Sequence, residues 1–236
     1  MTERVNICIP AYYSGPDTPR VVSQLVDSIN LQTYKDLWVY VAIQIQSDLD
    51  GNRALRYEFD RLQQLAQVIY TDATGPAQNT QRVITMPADG YCKIMNQDDF
   101  FDSPTAIEEM VEQLESSGAE WLINSCIHTD SEGIVREREH HPYWPGQEGM
   151  IEGINRFGCP SVVMFKSRLT PQCDVCLELC MDCDMWIQMY QKGGQPTIRN
   201  KSDVVVRMWE NQLSNQLDYA KCLEADKVYM RRKYGS

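Results

Sequence analysis

Tyr91-Cys92-Lys93-Ile94-Met95-Asn96-Gln97-Asp98-Asp99-Phe100-Phe101 is the stretch on which the reading of this chain turns. Its first half, Tyr91 to Met95, is a short, mostly apolar run of strand length. Its second half sets two adjacent carboxylates, Asp98 and Asp99, directly at the strand end. Ser103-Pro104 then opens a helix with Ile107, Met110, Val111 and Leu114 on one face and Gly118 as its stop. Carboxylates placed between a strand and a helix suit a hard divalent cation carrying phosphate oxygens. Taken alone, such a pair reads first as solvated turn residues, with Asp102-Ser103 capping the helix.

Outward from this point, strand-like and helix-like runs alternate. Val5 to Ile9 (ended by Pro10), Trp38 to Ile45, Val68 to Tyr70, Glu120 to Ile127, Ser161 to Phe165 and Val204 to Met208 read as strands. Asp17-Thr18-Pro19 caps a helix with Val22, Leu25, Val26 and Ile29 on its apolar face. Further helices are expected at Asn52 to Leu65, Gln78 to Ile84, Asp184 to Gln191 (ended by Gly193-Gly194) and Tyr219 to Arg232. The alternation predicts an α/β sheet covered by helices on both faces, with ligands bound beyond the carboxyl ends of the strands.

The totals narrow the partners. The chain has 236 residues, 43% of them apolar, enough for a continuous core. No repeat, linker or low-complexity tract divides it, so residues 1–236 read as a single domain. With 22 basic against 33 acidic residues the net charge is −11, which argues against nucleic acid or an anionic bilayer as the main partner. An anionic nucleotide ligand then needs a local offset from a metal ion, a helix N-terminus or a few basic residues. The opening MTERVNICIP lacks a signal-peptide pattern and no apolar run reaches spanning length, so no transmembrane segment and a cytoplasmic location are expected. The nine cysteines are accordingly expected to be reduced.

Seven segments in order, from Val5 to about Asn215, resemble the family-two glycosyltransferases. Val5 to Tyr13 is similar to that family's opening strand, which ends in Pro-x-Tyr. Ser28-Ile29-Asn30-Leu31-Gln32-Thr33-Tyr34 resembles its S-I-x-x-Q-T-Y segment. Asn79 and Gly90-Tyr91 fall where the family has an Asn and a Gly-x-Tyr, and Asn96 to Asp99 takes the place of its D-x-D-D. Gly158-Cys159-Pro160-Ser161 looks like its Pro-Ser before a strand, and Met181 to Trp186 like its E-D-x-D-L-W. Arg207 to Ser214 resembles its R-x-H-E-x-Q-x-S.

The resemblance implies a GT-A fold, a Rossmann-like mixed central sheet flanked by helices, with a nucleotide-binding half over 1–100, an acceptor and catalytic half over 101–215 and a C-terminal helix over 216–236. It implies inverting transfer of a hexosyl group from a nucleoside-diphosphate-sugar, a UDP-sugar by preference, to a glycan, lipid-linked or other hydroxyl acceptor. Pro10, Ala11 and Tyr12 are then expected around the base and ribose, with Asn79 nearby, and Asn96, Gln97 and Asp98 along the donor. Arg82, one helical turn beyond Asn79, is a candidate phosphate partner and equally an ordinary surface charge. Attack by a hydroxyl on the anomeric carbon needs a base; Asp182 matches the family's catalytic Asp, and Asp184 is the fallback. Asp98, with Asp99, is the expected ligand of Mn2+ or Mg2+ on the diphosphate.

Three positions depart from the pattern. Gln44 stands near the end of the second strand where the family has acids, and as an amide it is able to hydrogen-bond a pyrimidine edge. Asn96 replaces the first Asp of D-x-D-D, and Trp209 replaces the His of R-x-H-E, so a weak or dispensable metal requirement is expected. These departures keep a second reading open, a non-catalytic GT-A domain that binds nucleotide or glycan. Cys173, Cys176, Cys180 and Cys183 form C-x2-C-x3-C-x2-C, which suggests zinc or an iron–sulfur cluster. On a continuous helix they would string out over about 15 Å and could not close one tetrahedron. Reduced, they read as small hydrophobes in the packing. His140 to Gly149 is expected as a loop.

Overall fold

Gly90 sets the strand that carries the acidic turn against the first strand of the chain. Its φ is +78°, and a Cβ there would lie 2.4 Å from the Arg4 carbonyl oxygen. Tyr91 donates its N–H to that same oxygen at 2.8 Å, so the close approach needs a residue without a side chain.

The computed structural model describes residues 3–45, 48–208, 212, 215 and 217–235. Its strands are β1 (Val5–Ala11), β2 (Leu37–Gln44), β3 (Leu65–Thr71), β4 (Tyr91–Ile94), β5 (Phe100–Phe101), β6 (Trp121–Thr129), β7 (Val135–His140), β8 (Val163–Lys166) and β9 (Thr197–Arg207). Its α-helices are α1 (Thr18–Asn30), α2 (Leu49–Phe59), α3 (Pro76–Ile84), α4 (Ala106–Ser117), α5 (Gly146–Ile151), α6 (Met181–Gly193) and α7 (Tyr219–Tyr234).

Among the described residues the strands form one mixed sheet in the order β3-β2-β1-β4-β8-β6-β9-β5, with β7 paired to β6. The first four are parallel, β1 matching Val5 with Leu37 on one side and Tyr91 on the other. β8 then runs antiparallel to β4 and β6. Parallel strands covered on both faces are apolar along their whole length, and β1, β2 and β4 are buried almost throughout. α3 packs on β1 and β2, α1 on α2, and α4 on β6 and β9. This is the mixed α/β sheet flanked by helices that the sequence predicts. Among the described residues no helix is long and apolar enough to cross a membrane. None of the nine cysteines is in a disulfide.

Several boundaries move for identifiable reasons. α1 starts where expected, but the Asp17 side chain makes no cap; Thr18 Oγ1 accepts the Ser14 N–H at 3.1 Å instead. α2 begins earlier and ends at Phe59, with Asp48 capping it through the Gly51 N–H at 2.9 Å. β3 is longer than its apolar centre because it pairs with β2 from Leu65 onward. β9 begins seven residues before Val204, along a partly exposed, mostly polar stretch held by β6. Between His140 and Gly149, where a loop is expected, the chain holds the last residue of β7 and the start of α5.

Candidate active site

β1, β2 and β4 end side by side, and the segments leaving these strand ends face one cavity of about 510 Å³. Pro10 and Tyr12 come from the end of β1, Gln44 from β2, and Asn96 to Asp99 from the turn after β4. The start of α3 adds Gly75, Pro76 and Asn79. Across from them, Cys159 and Pro160 precede β8, while Glu178, Leu179, Met181 and Asp182 form the entry to α6. Parallel strand ends converge this way because each successive crossover helix returns the chain to the same edge.

The floor of the cavity is braced by side chains that the sequence suggested as ligands. Asn79 is buried, donates to the Ala11 and Ala42 carbonyls at 3.1 Å each, and accepts the Thr71 hydroxyl at 3.2 Å. Its amide holds three strand ends together, and Ala11 meets it through its carbonyl rather than facing the cavity. Gln97 accepts the Tyr12 N–H at 2.9 Å, joining the loop after β1 to the acidic turn. Asp99 is buried, and its oxygens accept the Arg207 N–H at 3.1 Å, the Asn96 amide at 3.3 Å and the Cys159 thiol at 3.6 Å. Burial and the neighbouring Asp98 charge push its carboxyl up. Asp99 therefore anchors the turn while lining the cavity beside Asn96 and Asp98.

Beneath the turn lie two cations. Arg207 is 1% exposed, and its guanidinium donates to the Asp98 carbonyl at 3.3 Å, the Ser131 carbonyl at 3.0 Å and Gln24. Lys93 is fully buried, donates to the Ser161 carbonyl, and is pulled down to about 7 by desolvation. Ser161 Oγ in turn accepts the Asn96 N–H at 2.8 Å. The sequence singles out neither cation as a support of the acidic turn, because a lysine inside a strand and an arginine at a strand end carry no local signal of burial.

Asp182 and Asp184 separate in role. Asp182 lines the cavity, partly buried; desolvation alone lifts its carboxyl to about 7. Asp184 is fully buried behind it, where Tyr234 donates to it at 2.6 Å, Gln188 at 2.7 Å and Lys233 at 2.8 Å. Residues two apart on a helix do not share a face, so the fallback base is a strut between α6 and α7 and does not line the cavity. Arg82 is exposed on α3 and is not among the residues lining the cavity.

The cysteine segment does not gather. Only Cys180 and Cys183 belong to the start of α6; Cys176 is exposed, and Cys173 packs its thiol on the Met185 sulfur at 3.8 Å. Among the described residues no three His, Cys, Asp or Glu side chains are grouped to hold a metal ion. Trp209 lies outside the described residues.

The architecture is the GT-A fold, as the resemblance implied. No family model and no curated protein sequence matches this chain. Among solved structures, it is similar to S. aureus TarS 1-349 in complex with UDP-GlcNAc, at 10% identity, covering 97% of this chain and 70% of that one, with a TM-score of 0.67. It is also similar to the mannosyltransferase PcManGT from Pyrobaculum calidifontis in complex with GDP-Man and Mn2+, at 13% identity, 100% and 77% coverage and a TM-score of 0.60.

Proposed function

We propose that this chain is an inverting glycosyltransferase that moves a sugar from a nucleoside diphosphate, UDP in the first instance, to a hydroxyl acceptor. One observation carries the reading. Asp182, a carboxyl lifted to about 7, shares a cavity with Asp98 and with the strand ends that present Pro10, Tyr12 and Gln44. The GT-A neighbours support it, since one is described with UDP-GlcNAc and another is a mannosyltransferase with GDP-Man.

In this reading Tyr12 and Pro10 flank the base and ribose, and Gln44 meets the base edge through its amide. Asp182 takes the proton of the acceptor hydroxyl as that oxygen bonds to the anomeric carbon. The bond from that carbon to the diphosphate breaks, its electron pair leaves with the nucleotide, and attack from the opposite face inverts the centre. A base titrating near neutrality is half ionised there yet strong enough to accept a proton. Asp98, with Asn96 beside it, fits a cation completed by phosphate oxygens and water, and does not fit a protein-only cage. Such a cation, when bound, neutralises charge on the departing diphosphate. With one carboxylate as anchor, a weak or dispensable metal requirement follows.

The test is a panel of UDP- and GDP-sugars assayed for nucleoside diphosphate release, with and without Mn2+, on the native chain and on Asp182→Asn. Turnover abolished by the substitution supports the assignment. Donors that bind yet are never turned over would replace it with the non-catalytic reading, for which Asn96 in the place of an acid is the motivating residue.

A further inference from the structure

We infer that Asp226, on the C-terminal helix α7, is a positioning residue for the Asp182 base; the inference rests on the transfer reading above. Asp226 is 3% exposed. Its Oδ2 accepts three successive backbone N–H groups, from Glu178 at 3.1 Å, Leu179 at 2.7 Å and Cys180 at 2.8 Å. Three consecutive amides converging on one point form an anion nest, and here the anion is a carboxylate from 46 to 48 residues further along the chain.

The segment so held is the cavity wall. Glu178, Leu179, Met181 and Asp182 all line the cavity, and Cys180 is the residue just before α6, at its N-cap. Among the described residues the Asp182 carboxylate receives no hydrogen bond and makes no ion pair, and its raised value has desolvation as its cause. Among the described residues nothing bonded to the side chain aims it. Its direction follows from the backbone at the start of α6, and Asp226 holds the three peptide units immediately before it. A carboxylate there also complements the positive end of α6.

Apart from Cys222, whose thiol donates to the Glu178 side chain at 2.9 Å, the other side-chain bonds of α7 land elsewhere. Tyr229 and Lys233 bond Asp174, Tyr234 and Lys233 bond Asp184, and Arg231 bonds Glu152. None of those three acceptors lines the cavity. They dock the helix, whereas Asp226 reaches through it to the reacting wall.

The experiment compares Asp226→Asn, Asp226→Glu and Tyr234→Phe in the full chain. Donor turnover is followed by nucleoside diphosphate release, and hydrogen exchange is followed at the amides of 178–180. Asp226→Asn is expected to lower kcat about 10- to 100-fold, the scale of a small misplacement of a catalytic group, with donor KM within about 2-fold. Asp226→Glu regains part of that loss, and the three amides exchange faster in Asp226→Asn. Tyr234→Phe, a docking control, loses melting temperature without the kcat loss. A kcat for Asp226→Asn no lower than that of Tyr234→Phe, or donor KM rising as much as kcat falls, overturns the inference. If the native chain turns over no donor, the transfer reading fails and this inference fails with it. Unchanged exchange at 178–180 in an active Asp226→Asn protein overturns the tether alone.

Discussion

Gln97 Oε1 accepts the backbone N–H of Tyr12 at 2.9 Å, and through that bond the acidic turn after β4 holds the loop after β1. Gln97 is 4% exposed, so the bond is shielded from competing water. The two loops carry different parts of the proposed donor site, the nucleoside end at Tyr12 and the diphosphate end at Asp98.

Replacing Gln97 by Ala leaves the Tyr12 amide without its partner and frees that loop. UDP affinity, measured by calorimetry, is expected to fall about 10-fold, matching one lost buried hydrogen bond of about 1.4 kcal/mol. Unchanged affinity would show that Tyr12 needs no such brace.

Asp182→Asn is expected to abolish turnover while stabilising the fold. The folded carboxyl is raised to about 7, so the native state holds a proton that the unfolded chain releases at lower pH. Stability contributed by this group therefore falls as pH rises from about 4 to 7, and the loss is complete above. The variant escapes it, so its gain in melting temperature should be largest at pH 8 and vanish near pH 4. An equal gain at both pH values contradicts desolvation as the cause.

The same carboxyl sets the pH dependence of the reaction. With Asp182 acting as base at about 7, kcat/KM should rise about tenfold per pH unit on the acid side and level off above neutrality. A profile flat from pH 5 to 8 is incompatible with that role.

Asp98→Ala removes a carboxylate of the acidic turn that lines the cavity. Donor affinity and rate should both fall, on the order of 10- to 1000-fold in kcat/KM, and any stimulation by Mn2+ should disappear. Full donor binding in this variant would place the diphosphate elsewhere.

Cys176 is exposed and Cys173 packs against Met185. Cys176→Ser should therefore leave the melting temperature within about 1 °C, as surface changes usually do, and elemental analysis of the native protein should find no stoichiometric zinc or iron. Stoichiometric metal lost in Cys176→Ser would reinstate the cluster.

The parallel half of the sheet is legible because a strand buried on both faces is mostly apolar, as Val5–Ala11, Leu37–Gln44 and Tyr91–Ile94 are apart from Asn6, Gln44 and Lys93. β7 and α5 escape such a reading: β7, Val-Arg-Glu-Arg-Glu-His, lacks an apolar period and is a strand through its pairing with β6. The first turn of α6 escapes it too, since Met181 to Cys183 is made helical by the contacts around it. Lone polar residues are the hardest case. Nothing in the chain near Asn79, Arg207 or Asp226 announces burial, because their partners lie far away in sequence.

The sequence alone determined where the acidic turn stands, that it comes after a buried strand, and that Asp182 stands just before a helix ending in glycine. Those are local facts of pattern and spacing, enforced by burial and backbone geometry. Only the tertiary structure decided between the carboxylates: Asp98, Asp99 and Asp182 line one cavity, Asp99 also holding the Arg207 N–H, while Asp184 is a buried strut away from it. That division depends on which backbone amides and side chains arrive from elsewhere in the chain, and no local stretch carries it.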